Sequence, residues 1–194
     1  MKLIMFALST LILMTLGIIP ADYAAQANCR VAESLAMPVD PVRFQLVQAF
    51  SAPSPRHQGR YHTGEDWSIP GGSALGEPVA AIGRGVVSYS FTLGWGRDAG
   101  VVIVRHTMPD GITLISQYGH ITESDDVKFP RVGQCVEQGQ LLGVIADARP
   151  APHVHFEMRL ATPDAPGPGY SWIFPPDDIT QWRSPSRLVQ AYQR

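Results

Sequence analysis

The hydrophobic pattern of this chain changes character once its N-terminal stretch is passed. Residues 3–19 form an apolar run broken only by small polar residues, with Lys2 before it and Ala25-Gln26-Ala27 after it. The run is short for a stable membrane span and leads into a small-x-small cleavage site. Residues 1–27 therefore read as a secretory signal peptide cut after Ala27. Beyond that point the apolar stretches become short and well separated. Residues 44–50 alternate at Phe44 and Leu46, and further short runs occupy 78–82, 86–91, 101–105 and 112–118. Gly83, Gly94-Trp95-Gly96 and Pro109-Asp110-Gly111 punctuate them. Such runs, bounded by Gly, Pro and Asp, predict strands joined by turns.

The remaining segments complete the pattern. Pro38 and Pro41 block a long helix, so residues 28–43 read as an N-terminal arm leading into the domain. Residues 51–60 read as a loop. Residues 132–145 predict a turn–strand–turn–strand unit, and a last strand runs from His153 to about Leu160. Residues 161–176 are rich in Pro and Gly and carry Tyr170, Trp172 and Phe174. Those aromatics either form an exposed wall or pack back on the sheet. Ser184-Pro185 predicts a short C-terminal helix, with Ser184 as N-cap and Pro185 at the first position. The expected fold is mostly β: a single domain over residues 44–194, built on an antiparallel β-sheet with long connecting loops and a short C-terminal helix.

Composition and charge narrow the class. A chain of 194 residues suits one domain plus a leader, and the leader inflates the 45% hydrophobic content. Its loss removes one base, Lys2, and one acid, Asp22, leaving 14 bases against 16 acids, so the mature net charge stays at −2. Bulk electrostatics therefore gives no support for nucleic-acid binding. Two cysteines, Cys29 and Cys135, remain after cleavage. In an exported protein they can pair in one way only. The other reading makes Cys135 a small buried hydrophobe and Cys29 a free thiol.

Candidate chemistry enters at three places. In Pro152-His153-Val154-His155-Phe156-Glu157, strand alternation sets His153 and His155 side by side and turns Val154 and Phe156 into a core. His62 and Asp66 stand four apart, but Gly64 lies between them and Pro70-Gly71-Gly72 follows, so a turn is expected rather than a helix. An imidazole and a carboxylate brought to one point suit zinc; the alternative is a loop histidine and a surface aspartate. Tyr118 and His120 are two apart and would share a strand face. His57 and His106 read as a loop and a strand-end histidine without a metal role.

Taken together, these pieces resemble the lysostaphin-type (LytM-like) zinc metallopeptidases that cut peptidoglycan peptides. The resemblance covers roughly residues 44–160. It rests on His62-Thr-Gly-Glu-Asp66 with Trp67, on Gly-Glu-Pro-Val-Ala-Ala with a following Gly-x-Val, and on Val101-Val-Ile-Val-Arg-His106. Gln117-Tyr-Gly-His120, the Val132 to Gly143 unit and Pro152-His-Val-His-Phe-Glu157 complete it. It implies one Zn²⁺ per chain held by His62, Asp66 and His155, with His153 and His120 as the unliganded catalytic histidines. His153 is then the expected base and His120 the stabilising partner. It further implies a monomeric, exported enzyme, periplasmic or secreted, that acts on peptidoglycan peptides and keeps no stable membrane span after signal cleavage. A D-alanyl cross-link is the expected bond and a glycyl bridge the alternative. The loop 146–152 departs from the family pattern in lacking a Gly/Ser/Thr-rich run.

Three other readings have distinct signatures. A biotinyl or lipoyl carrier domain needs an exposed lysine at a hairpin tip, and the one lysine beyond the leader, Lys128, sits beside Phe129-Pro130. A non-catalytic envelope regulator of another hydrolase would use the same fold but typically loses metal ligands, whereas all five polar positions are present here. A serine hydrolase would show Gly-x-Ser-x-Gly, which is absent from the sequence.

Overall fold

A computed structural model describes residues 29–160, 165–172 and 181–193. The expected signal peptide lies outside the described residues. So do parts of the 161–176 loop, Phe174 included.

The strands follow the turn residues. In chain order they are β1 (Gln45–Gln48), β2 (Pro53–Ser54), β3 (Arg60–His62), β4 (Glu65–Ser68), β5 (Pro78–Ala80), β6 (Gly85–Phe91) and β7 (Gly100–Thr107). Then come β8 (Thr113–Thr122), β9 (Cys135–Val136), β10 (Leu141–Ile145), β11 (Val154–Leu160), β12 (Tyr170–Ser171) and β13 (Trp182–Arg183). One helix, α1 (Pro185–Ala191), closes the described chain. The main sheet runs β1-β4-β11-β8-β7-β6-β9, with β13 on β11 and β10 joining β8 to β5. A second, small sheet has the order β12-β3-β2. Every strand pairing among the described residues is antiparallel. The expected β class and single domain are what the structure shows.

Alternation sorts the central strands into two faces. Val102, Val104, Tyr118, Val154, Phe156 and Met158 are fully buried in the main core, with Ile82, Leu142 and Ile145 from neighbouring segments. Val101, Ile103 and Ile115 point the other way and form a second cluster with Tyr89 and Trp95. The run Val101-Val-Ile-Val is continuous because both faces of β7 are covered. The described part of the arm packs on this core as well. Ala32, Leu35, Val39 and Phe44 are buried, and Ala36 N donates to Ile82 O at 2.7 Å. Cys29 is disulfide-bonded to Cys135 across 106 residues, which settles the cysteine question in favour of the pair.

Three local expectations need correction. Phe44 belongs to a turn, its N–H donating to Asp40 O at 3.0 Å. β1 lies within the expected span 44–50, but counting alternation through Phe44 misassigned its faces, since Phe44 is buried and Leu46 is 43% exposed. The strand expected to stop at Tyr118 continues to Thr122. Ser184 occupies the N-cap position of α1 but makes no side-chain cap. Its hydroxyl donates to Glu65 Oε1 at 3.2 Å, and the same carboxylate accepts from Ser186 N at 3.2 Å. An acceptor on another strand thus satisfies the first turn, as orphan helix N–H groups require.

His106 is fully buried. Its Nδ1–H donates to Arg84 O at 2.8 Å, so neutral Nε2 is an acceptor, 2.8 Å from Ser116 Oγ. Ser116 Oγ in turn lies 2.9 Å from the Tyr118 hydroxyl, which accepts from Ile82 N. Burial pushes the His106 pKa from 6.5 down to about 4. Between those values the unfolded chain binds a proton that the folded protein excludes. Stability from this group is therefore complete above about pH 6.5 and falls as pH drops toward 4. The loss amounts to about 2 kcal/mol by pH 5. We expect His106→Gln to be less stable at pH 7, yet to lose about 2 kcal/mol less than wild type between pH 7 and pH 5. Urea unfolding of the metal-free proteins measures this, and equal losses would rule out a neutral buried His106.

Candidate metal centre

The site lies where the small sheet meets the large one. His62 ends β3, the two residues Thr63 and Gly64 turn the corner, and Asp66 follows on β4. β4 pairs with β11 so that Asp66 stands directly opposite His155. The corner tolerates only glycine at 64: a Cβ there would stand 2.5 Å from Phe156 O and 2.7 Å from His155 Nε2. The turn expected between His62 and Asp66 is thus a crossing between sheets.

Three donor atoms converge. His62 Nε2 lies 2.9 Å from His155 Nδ1, and Asp66 Oδ1 lies 3.2 Å from the first and 3.0 Å from the second. All three residues are buried, and together they form a group able to hold a metal ion. The outer ring nitrogens have their own partners. His62 Nδ1 donates to Ala49 O at 3.2 Å, and His155 Nε2 donates to Glu157 Oε2 at 3.3 Å. Carbonyl and carboxylate partners fix the tautomers, which turns a lone pair of each ring inward. Inner atoms that are all acceptors need a positive charge among them. The same demand appears at His155. Burial works against its charged form, but hydrogen bonds to Asp66 and Glu157 and their charges carry its pKa up to about 9. At Asp66, burial favours the neutral acid, and the hydrogen bonds from His155 and His62 outweigh it and hold the carboxyl well below its usual range.

Two further histidines stand beside this set. His153 just precedes β11; its Nδ1 donates to Ala151 O at 2.8 Å, and its Nε2 lies 3.7 Å from Asp66 Oδ2. His120 Nδ1 donates to Asp98 O at 2.8 Å, and the two rings are 4.5 Å apart between centroids. In each ring Nε2 is left facing the cleft as an acceptor. Burial, reinforced by His153, pushes the His120 pKa down to about 4.

His120 reaches the site through a bulge. Gly100 pairs with Ile121 and Val101 with Gly119, so His120 is an extra residue on β8, with φ of +60°. Plain alternation would have put His120 on the face of Tyr118. The bulge returns it to the face of Gly119 and His155. The expected Tyr118–His120 face is therefore corrected: Tyr118 is a core residue, stacked on Phe156 and bonded through its hydroxyl to Ile82 N.

Several site residues were not singled out in the sequence. Glu157 is fully buried behind His155 and accepts from Thr63 Oγ1 at 2.7 Å and Trp182 Nε1 at 2.9 Å. Its signal was present, since 153, 155, 157 and 159 are polar at every second position of one strand. Trp95 lies edge-on to both His120 and His155, over Gly119, where a Cβ would meet its ring at 2.2 Å. That approach depends on long-range packing and leaves no local mark. The described part of the 161–176 loop folds over the cleft. Trp95 Nε1 donates to Gly167 O at 2.9 Å and Thr63 N to Gly169 O at 3.0 Å. Tyr170 turns inward and stacks on His57 at 3.6 Å, while Trp172 stays 65% exposed. His57 therefore lines the cleft without joining the donor set, and His106 is remote from it. The cleft over the donor set has a volume of about 820 Å³.

An antiparallel β domain that gathers two histidines and one aspartate, with two more histidines alongside, has the makeup of a metal-dependent hydrolase. A family model described as Peptidase family M23 matches residues 60–165, which include all five of these residues. The chain belongs to that family. Lysostaphin in solution superposes with a TM-score of 0.57 at 18% identity, over 82% of this chain and 55% of that one. The catalytic domain of lysostaphin from Staphylococcus simulans gives 0.53 at 18%, over 76% of this chain and 92% of that one. Both likenesses speak to the fold. A zinc-containing peptidase from Vibrio cholerae gives 0.50 at 25% identity, over 66% of this chain and 37% of that one. The chain thus spans about half of intact lysostaphin and just over a third of the Vibrio peptidase. No curated protein sequence matches it significantly.

Proposed function

We propose that this chain is an exported zinc metalloendopeptidase that hydrolyses peptide bonds in peptidoglycan stem or cross-link peptides. The observation that carries the reading is the convergence of His62 Nε2, Asp66 Oδ1 and His155 Nδ1 within 2.9–3.2 Å of one another. Donors around tetrahedral zinc stand roughly 3.3 Å apart, so the set fits with shifts of a few tenths of an ångström. Three protein ligands leave a fourth position open, as catalytic rather than structural sites do. Zinc held there would supply Lewis acidity, polarising the scissile carbonyl and making water a nucleophile near neutral pH.

The chain's own residues do the rest. His153 presents Nε2 beside Asp66 and takes the proton of the attacking water. His120 is neutral at rest because burial resists its charge. It can donate to the developing oxyanion only with the proton taken from the water by His153, whose ring lies 4.5 Å away between centroids. Glu157 and Ala49 O hold the two ligand rings in the tautomers that the site needs.

Export follows from the substrate's place outside the cytoplasmic membrane. It is supported by residues 1–27 as a cleaved leader and by the Cys29–Cys135 bridge, which suits an oxidising compartment. No helix among the described residues is long and apolar enough to cross a membrane. On this reading cleavage leaves the arm at the N-terminus of a monomer, and its described residues 29–43 pack on the domain.

The test joins two measurements on the mature protein: zinc content and digestion of purified sacculi. We expect about one zinc per chain and release of soluble muropeptides, with chelation abolishing release and added zinc restoring it. Zinc-loaded protein that releases nothing would overturn the enzyme reading and leave a regulator with the same fold.

A further inference from the structure

The mature chain is slightly acidic, yet three arginines line the cleft, Arg56, Arg60 and Arg149, against the carboxylates of Asp66 and Asp98. Asp66 is held by its histidines, and Asp98 lies 3.7 Å from Arg149 in a loose pair. Neither Arg56 nor Arg60 makes an ion pair among the described residues. Both sit on the wall formed by β2, β3 and the turn Pro55–His57 between them. Their charges act on the same imidazole, that of His57.

Arg60 is the better fixed of the two. Its Nε donates to His57 O at 3.1 Å, and its guanidinium lies over the Trp172 ring, 5.6 Å from the centroid. One edge and one face are thus engaged, and among the described residues the Nη edge has no recorded partner and is open to a ligand. A guanidinium edge of this kind matches a carboxylate through two parallel hydrogen bonds. Arg60 lies two residues before His62 on β3, and both arginines line the same cleft as Asp66 and His155.

We propose that Arg56 and Arg60 form a carboxylate-reading subsite, so that the peptide taken by this cleft carries a free carboxylate next to its scissile bond. This rests on the peptidase reading and sharpens it. An anionic D-alanyl cross-link satisfies the subsite, and a glycyl bridge, which has no side-chain charge, does not. Selectivity of this origin weakens with salt, because both guanidinium groups face solvent.

The experiment uses zinc-loaded mature protein and an uncleavable D-alanyl peptide with a reduced scissile bond, in two forms. One carries the neighbouring carboxylate and the other its carboxamide. Titration calorimetry should find the carboxylate bound at least about tenfold more tightly, as loss of a charge-assisted pair implies. In Arg56→Gln/Arg60→Gln the two forms should bind within about twofold of each other, with the carboxamide's affinity and the zinc content unchanged. Arg60→Lys keeps the charge but not the fork and should retain only part of the preference. Equal binding of the two forms by wild type, binding of neither, or a preference that survives the double variant overturns the subsite. Turnover of the cleavable peptide is read separately. Carboxylate-selective binding without turnover upholds the subsite and sinks the peptidase reading, whereas turnover indifferent to the carboxylate does the reverse.

Discussion

His62→Ala, Asp66→Ala and His155→Ala should each purify with little zinc and no measurable digestion of sacculi, while His153→Ala and His120→Ala keep near-stoichiometric zinc and digest at least about a hundredfold more slowly. The contrast between His153 and His155 is the sharpest part, because they are only two residues apart, one just before β11 and the other on it. His155 Nδ1 lies among the donors at 2.9 and 3.0 Å. His153 reaches only to 3.7 Å from Asp66 and has its Nδ1 committed to Ala151 O. A three-ligand site that loses one ligand loses most of its affinity, and the chemistry goes with the metal. A lost general base leaves the metal in place and removes about 10²–10⁴ in rate. Metal analysis and a turnover assay on the same five proteins separate the cases. If His153→Ala loses zinc and His155→Ala keeps it, the assignment is inverted. If all five digest normally, the site is not the one described.

Loss of the disulfide is the second large effect. The bridge closes a loop over 106 residues. In the chain-entropy account that restricts the unfolded chain by up to about 4.7 kcal/mol, and native bridges removed from secreted domains typically cost about 2–5 kcal/mol. Its position adds a native-state term. Cys135 lies on β9 at one end of the main sheet, and Cys29 anchors the arm that contributes Ala32, Leu35 and Val39 to the core. Cys29→Ser/Cys135→Ser should therefore unfold at a markedly lower urea concentration, by an amount corresponding to at least about 2 kcal/mol. Wild type under reductant should approach the variant. Wild type and variant that melt together, with and without reductant, would show that no bridge forms.

The sequence made the strands legible where the signal was local. Runs at 78–82, 86–91 and 101–105 appear as β5, β6 and β7 within a few residues at either end, because turn residues bound them and β-branched residues fill them. The nearness of His62 to Asp66 and of His153 to His155 was legible, since a glycine corner and a two-residue period each act over a few positions; the meeting of the two pieces, 93 residues apart, was implied only by the family resemblance. What stayed hidden depends on distant partners. The bulge at His120 arises from the pairing of β8 with β7, and a non-glycine residue at positive φ gives no warning in the sequence. The packing of the arm depends on Thr107, Ile82 and Tyr192, whose backbones it meets only after the sheet has formed. Glu157 is an intermediate case. Its alternation with His155 was visible, but its purpose needed the neighbouring Thr63 and Trp182 to be seen.

The corner at Thr63 and Gly64 has a thermodynamic consequence. His62 stands on the small sheet, and Asp66 and His155 stand on the large one, so an ion bound by all three bridges the seam between them. The arginine wall rides on the small sheet with His62. Ion binding and peptide binding would then be coupled through any change in the set of the small sheet against the large. Linkage then makes the relation reciprocal: a peptide that steadies the wall must raise the affinity for the ion by the same factor by which the ion raises the affinity for the peptide.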